Sequence, residues 1–478
     1  MEQTKSFKDY IKGFELSFSD LFLAIGFLFF VPFAAFSWKF MVTADPALVP
    51  FKLWAIILCF VFSLLCWGFY FFLEIKKGRL KNNIFLWLYV FFAVMSVISV
   101  LVQPIDETIL VEAKFVNAIS EQYYPGVQIG SFVEVSTHIS TTHRVFFTFA
   151  SLLITTIFFI IFFVFPKRFK KMTFLTFVCL VVAIFIIVLT IYSYVVEHDH
   201  YSPLLNALFN ADIDEVYENS VHSFLVHRVP YGACLMMGLM FAILAHQLSK
   251  HNFWVLFGIY CVINMLFSWC KTALAISLLI IALYLVYLLV ITYKENKKRN
   301  LALSILYGFV LVAAGIIVLI SVISKGPFIH QIYNAFSSFT DNRTLETRTF
   351  IWENINQRLQ GGWWIIGRGF GVHNYLLYPM NLVNGDDVCP SHSTYYAVLG
   401  AGGVINLIGY FAMYCYYGYI FYKCFKVDKL KTIGLSVGVI GYFLYSFTEG
   451  VNYLILVFMF PLILYYHLLQ KENRKAQS

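Results

Sequence analysis

Long apolar runs recur from one end of the chain to the other, separated by short polar segments that carry most of the charge. They stand at about 20–38, 53–73, 84–103, 145–165, 172–196, 229–247, 253–269, 272–293, 301–324, 394–421, 432–448 and 451–469. Most have the roughly 17 to 25 residues that a helix needs to cross a hydrocarbon layer of about 30 Å. The run at 253–269 is short and closely followed by Lys271, and the one at 394–421 is long enough to tilt or protrude. The pattern predicts an all-α polytopic membrane protein of about 12 transmembrane helices. Because the runs continue without a break, residues 1–478 are expected to form a single membrane domain.

Composition supports this. Of the 478 residues, 60% are hydrophobic, 19% aromatic and only 13% charged, and the mean hydropathy is +0.75. A soluble domain carries about 25% charged residues to cover its surface. Lys and Arg are retained on the cytoplasmic side, and with the N-terminus inside, the inner segments hold 23 of the 34 basic residues. The outer segments then hold 18 of the 26 acidic ones. Both termini are therefore expected in the cytoplasm. The net charge of +8 follows from this topology, and its dispersal over many short loops gives no nucleic-acid surface. The first twenty residues are of mixed charge and the first run is long enough to remain as a span, so a cleavable signal peptide is not expected. Of the nine cysteines, seven sit in or beside apolar runs, where Cys behaves as a small hydrophobe. Cys270 and Cys389 both fall near the outer face and could pair, although no spacing rule requires it.

Three outer loops are long, at about 104–144, 197–228 and 325–393. Loops of such length usually carry function or structure of their own. In the third, between the ninth and tenth spans, Phe350, Ile351, Ile355 and Leu359 recur at helical spacing, with Arg348 and Trp352 four apart on one face. Gly361-Gly362 ends that helix, and an aromatic stretch leads into the turn Gly367-Arg368-Gly369-Phe370-Gly371. No internal repeat is found.

The polar residues that stand out lie at helix ends. The sixth, eighth and tenth spans run from outside to inside, so their N-termini face outward. Arg228 with Pro230 opens the sixth, Lys271 the eighth, and Pro390, Ser391 and His392 the tenth, with Pro suited to a first turn and Ser to a cap. Helix N-termini offer unpaired N–H groups and partial positive charge, which favour anions such as phosphate. With Arg228, Lys271 and Arg348 nearby, they suit a pyrophosphate. Each residue also has a plainer reading: Arg228 and Lys271 as headgroup anchors, Arg348 as an ion-pair partner of Glu346 or Glu353, His392 as a packing residue. His392 is nevertheless the one plausible general base among them. Glu197-His198-Asp199-His200 has the letters of a metal cluster, but in an irregular loop it lacks a rigid ligand geometry. No Walker, GxSxG, HExxH or CxxC motif is present.

Three stretches resemble the O-antigen ligase and polymerase superfamily of bacterial envelope glycan enzymes. Thr347-Arg348-Thr349-Phe350-Ile351-Trp352 followed by Gly367-Arg368-Gly369-Phe370-Gly371 is similar to that family's Arg-x-x-x-Trp helix and the glycine-rich turn after it. His392-Ser393, nine residues and then Gly403 is similar to its His-to-Gly pattern. Ser268-Trp269-Cys270-Lys271-Thr272-Ala273 looks like a variant of its Ser-Arg-Gly/Thr-Ala stretch. The similarity spans roughly 220–420. Lys271 stands where the family has Arg and cannot make the same bidentate fork; Ala401 or Gly402 replaces an acidic residue and Asn406 a glycine.

The resemblance implies a GT-C-type, inverting, metal-independent glycosyltransferase of the bacterial plasma membrane that needs no cofactor. Its donor would be a polyprenyl-pyrophosphate-linked oligosaccharide at the outer leaflet, its acceptor a second glycan or a lipid. Arg228, Lys271 and Arg348 would hold the pyrophosphate and His392 would take the acceptor's proton. Trp352, Gly367, Gly369, Gly371 and Ser393 would support them. A flippase and a chain-length regulator are the protein partners that such a system implies. Polymerase and ligase remain alternatives, with the motif departures favouring the polymerase. A lipid-linked glycan transporter is the alternative of another class. It would place ionisable residues at mid-membrane, whereas nearly all charges here fall at span ends or in loops.

Overall fold

The computed structural model describes residues 17–29 (27 excepted), 49–78, 84–102, 106–112, 132–138, 159–210, 212–225, 228–249, 251–295, 392–448 and 454–477. It also describes 152, 156, 348–349, 352–353, 355–356, 359 and 361–369. The ninth expected span, at 301–324, and much of the first and fourth lie outside the described residues.

Long helices dominate: α1 (Val49–Lys76), α2 (Ile84–Leu101), α3 (Thr173–Val196), α4 (His198–Asn210), α5 (Ile213–Glu218), α6 (Arg228–Ser249), α7 (Phe253–Ser268), α8 (Lys271–Glu295), α9 (Thr394–Val427), α10 (Lys429–Thr448) and α11 (Leu454–Gln477). Among the described residues, five stretches are long and apolar enough to cross a membrane: Leu58–Lys76, Thr173–Val196, Arg228–Ser249, Thr394–Val427 and Lys429–Phe447. Shorter apolar helices follow at Phe253–Ser268 and Lys271–Val286. The chain is thus a multi-pass α-helical membrane protein. It is not entirely α: Asp106–Glu112 (β1) and Phe132–His138 (β2) pair antiparallel, with Asp106 opposite His138 and Glu112 opposite Phe132. Both segments lie in the loop expected at 104–144, and Thr108-Ile109-Leu110-Val111 carries the β-branched residues that favour a pleated strand.

Helix α6 is the axis of the described bundle, buried from Tyr231 through Ala245 on nearly every side. Helix α3 shows the opposite pattern. Leu175, Cys179, Ala183, Ile186, Leu189, Thr190 and Ser193 form one buried stripe at helical spacing. Leu180, Val181, Ile184, Val188 and Ile191 stand exposed beside it, as a lipid-facing helix requires, since hydrocarbon is as apolar as leucine. Helices approach where side chains are small: Gly238 of α6 meets Cys261 of α7 and Ile186 of α3.

Candidate anion site at one end of the bundle

Helix α6 starts at Arg228 and α8 at Lys271, as the sequence predicts. The two starts are neighbours because Gly232, one turn into α6, lies so close to Cys270 that a Cβ there would collide with the cysteine side chain. Trp269 caps α7 in the left-handed region (φ +47°) and reverses the chain into α8. The segment 197–228, expected as irregular loop, is instead largely helical, as α4 and α5. Asp212 caps α5 by accepting from the Glu215 N–H at 3.1 Å, and Val216 packs with Leu204, Ala207 and Trp269. This packing presents Tyr217 to both cations. The Arg228 guanidinium stands 3.9 Å from its ring centroid and Lys271 Nζ 5.6 Å from it. Nζ is also 5.9 Å from the Trp269 ring. It is buried and has no hydrogen-bond partner among the described residues.

His392 reaches the same end through a run of contacts. Ser393 Oγ donates to Ser446 O (3.3 Å), and the adjacent Tyr445 OH donates to Val229 O (3.4 Å), next to Arg228. The expected first turn at 390–392 is corrected. Helix α9 begins at Thr394, Ser393 is the cap position without a side-chain cap bond, and His392 stands outside the helix at φ +46°. The cause is visible: Ser393 spends its hydroxyl on α10 instead of on the helix end. Pro390 and Ser391 lie outside the described residues.

The helix that carries Arg348 lies on the first turns of α9. The Trp352 ring stacks on Tyr396 at 5.2 Å and 4°. Ile355 and Leu359 are buried among Trp352, Trp363, Tyr396 and Leu399. The glycine turn then locks into a break in α9, where Gly402 and Gly403 leave helical geometry. Arg368 N–H donates to Gly400 O (2.7 Å) and Gly369 N–H to Ala401 O (2.8 Å), and Ser99 Oγ of α2 donates to the same Ala401 O (2.7 Å). Gly367 (φ +70°) and Gly403 (φ +65°) face one another so closely that a Cβ on either would collide with the other strand's backbone. Arg368, unassigned from the sequence, is buried with its guanidinium 4.3 Å from the Trp363 ring centroid. Gly371 and Cys389 lie outside the described residues.

Arg228 and Lys271 therefore share one aromatic ring. His392, Ser393, Trp352, Gly367 and Gly369 gather on the start of α9 at the same end, with Arg348 one helical turn before Trp352. A cation at a helix N-terminus opposes the macrodipole, so two of them side by side create a strongly positive cradle. Such an arrangement is of the kind that suits an anion. Nothing in the spacing of the chain marks Tyr217, whereas the paired glycines at 402–403 hint at the break in α9.

Comparison of the chain with protein-family models, with curated proteins and with solved structures gives no match.

The letters Glu197-His198-Asp199-His200 do not form one site. Glu197 is buried and turned toward His222, while His198 and Asp199 are exposed. Among the described residues no group of three His, Cys, Asp or Glu side chains is placed to hold a metal ion.

Proposed function

We propose that this chain is a membrane glycosyltransferase of the bacterial plasma membrane, with about twelve spans of GT-C type and both termini cytoplasmic. It polymerises polyprenyl-pyrophosphate-linked oligosaccharide repeats at the outer face. The observation that carries the proposal is the cradle in which Arg228 and Lys271 both stand against the Tyr217 ring at two helix N-termini. Pyrophosphate fits that cradle as ligand and as leaving group, since negative charge grows on it in the transition state and preorganised cations act most strongly there. Arg348 closes over it from the loop helix. His392 takes the proton of the acceptor hydroxyl as its oxygen attacks the anomeric carbon. The two cations neutralise the leaving group, so the reaction needs no metal. Transfer to a lipid or surface acceptor, the ligase activity, uses the same groups with a different acceptor.

The second reading, a flippase for such lipids, would use ionisable groups at mid-membrane; the buried cluster of Asp20, Glu74 and Arg168 is the ionisable group nearest to that requirement, but it stands at span ends. Surface-glycan profiles of a deletion strain carrying the wild type, Arg348→Ala or His392→Ala at matched expression separate these readings. A polymerase mutant leaves single repeats on the anchor, and a ligase mutant leaves polymer on the lipid carrier. Normal profiles from both mutants overturn the enzymatic proposal and favour the transporter.

A further inference from the structure

Glu197 follows the last residue of α3, and both of its oxygens are engaged. Oε1 faces His222 Nδ1 at 2.9 Å. Oε2 accepts from the Ser223 N–H and from Ser193 Oγ, each at 2.9 Å. Ser223 is held at φ +58°, which L-residues seldom adopt, and its own Oγ donates to Leu189 O at 2.8 Å. The chain is thus bent so that two consecutive residues grip one buried carboxylate. His222 is pinned through Nδ1, which also lies 2.9 Å from Ser223 O. No hydrogen bond is found on Nε2 among the described residues, and the side chain is 39% exposed. A carboxylate on one imidazole nitrogen with the other left open fixes tautomer and orientation for proton transfer. His222 lies between Tyr217 and Arg228 in the chain, the two residues whose contact builds the cation cradle.

We propose that His222, braced by Glu197, is the proton donor to the departing pyrophosphate, an inference that rests on the glycosyl-transfer reading above. The acceptor oxygen forms a bond to the anomeric carbon. The bond from that carbon to the pyrophosphate oxygen breaks, and its electron pair stays on that oxygen. His222 Nε2–H gives its proton to the released pyrophosphate, and the acceptor's proton goes to His392. Exchange with water then restores both imidazoles, so no proton is gained or lost overall.

Among the described residues, the ionisable groups near His222 include Tyr231 of α6, which joins the Ser193 and Tyr201 network. Glu197 faces it from the end of α3. Tyr201 of α4 is joined to the same network through Ser193 (2.9 Å), with Tyr194 of α3 against the Tyr201 ring. Arg228 opens the next helix. The hydrogen bond to Glu197 raises the His222 pKa above its ordinary value, although partial burial works against it. Burial opposes the charge on Glu197, but the bonds from His222, Ser223 and Ser193 hold its pKa below the usual carboxylate value. Both shifts favour the imidazolium–carboxylate pair, the form able to donate.

The test is the pH dependence of transfer from a polyprenyl-pyrophosphate-linked donor by the full chain in liposomes. Wild-type turnover should fall on the alkaline side as His222 loses its proton. Glu197→Gln should move that fall to lower pH, because the partner that raises the His222 pKa is gone. His222→Gln should remove the alkaline fall and lower turnover by about 100-fold, with little change in donor KM. A wild-type profile in His222→Gln, or a uniform loss that keeps the alkaline fall, overturns the proposal. If that variant does not reach the membrane, an unshifted profile in Glu197→Gln overturns it. Failure of the wild type to transfer sugar at all sinks the glycosyltransferase reading itself, and is distinguishable from either result.

Discussion

The bundle holds arginines at both ends, and they are treated in opposite ways. Beside the start of α3, Arg168 is 1% exposed and wrapped in acceptors. Its Nη2–H donates to Glu74 Oε1 (2.6 Å) and to Ser19 Oγ (3.0 Å), its Nη1–H donates to Ser17 Oγ (2.9 Å), and Asp20 Oδ1 lies 3.2 Å away. Lys77 Nζ adds contacts to Ser19 and Glu74. At the other end, about 36 Å along α3 at 1.5 Å per residue, Arg228 and Lys271 rest on a tyrosine ring. An aromatic face attracts a cation without neutralising it, by about 0.5–2 kcal/mol. The first arrangement ties three segments of chain together; the second sets two cations against one ring. In both arrangements side-chain nitrogens of the cations are buried, so burial by itself does not separate a structural role from a binding one. The nature of the partners does.

The largest effect should come from unbalancing the first end. Arg168→Met takes the buried guanidinium from Asp20 and Glu74, leaving Lys77 beside Glu74, and should cost about 3–5 kcal/mol, seen as a loss of folded protein in detergent thermal-melt assays. Replacing Arg168, Glu74 and Asp20 together by Met, Leu and Leu should recover most of that loss. If the single variant is as stable as wild type, the cluster is not the tie described here. At the second end the signs reverse. Arg228→Ala and Lys271→Ala should keep the melting temperature close to wild type while lowering sugar transfer by about 10²–10³-fold. Chelators should leave transfer unchanged. Equal losses of stability at both ends would erase the distinction.

Two smaller effects sharpen it. Gly403→Ala forces a side chain into a left-handed position facing Ile365 and should cost about 1–3 kcal/mol. Because Gly367 occupies the same seam, Gly367→Ala added to it should cost less than the two separate losses combined, which a double-mutant thermal-melt cycle would measure. Tyr217→Leu removes only the aromatic face. Donor affinity should weaken by roughly 5-fold, corresponding to about 1 kcal/mol, with folding intact; a larger loss in folding than in affinity would make the ring a packing residue.

The periodic signal was read well where it was strong. The starts of α6 and α8 fall within one residue of the expected spans, because an apolar run must end where a charge meets the interface. The glycines at 367 and 369 could be singled out by letter. Their function could not, since the seam they form is with Gly400–Gly403, more than thirty residues away. The tenth span begins at Thr394, where the apolar run starts, but His392 stands outside its first turn, and Ser393 at the cap answers to Ser446 on another helix. Arg168 looked like one more basic residue of a short loop, and Glu197 like part of a histidine-rich string.

That this is a membrane protein, which stretches are apolar enough to be candidate spans, and which charges sit at their ends are all legible in the order of residues. These properties follow from the cost of placing polar groups in hydrocarbon, which each segment meets largely alone. Tertiary structure alone decided the partners: carboxylates for Arg168, one shared tyrosine ring for Arg228 and Lys271, Glu197 for His222. The reason is that the charge state and chemical use of a buried cation depend on what stands within a few ångströms of it, and in a helical bundle those neighbours come from distant parts of the chain.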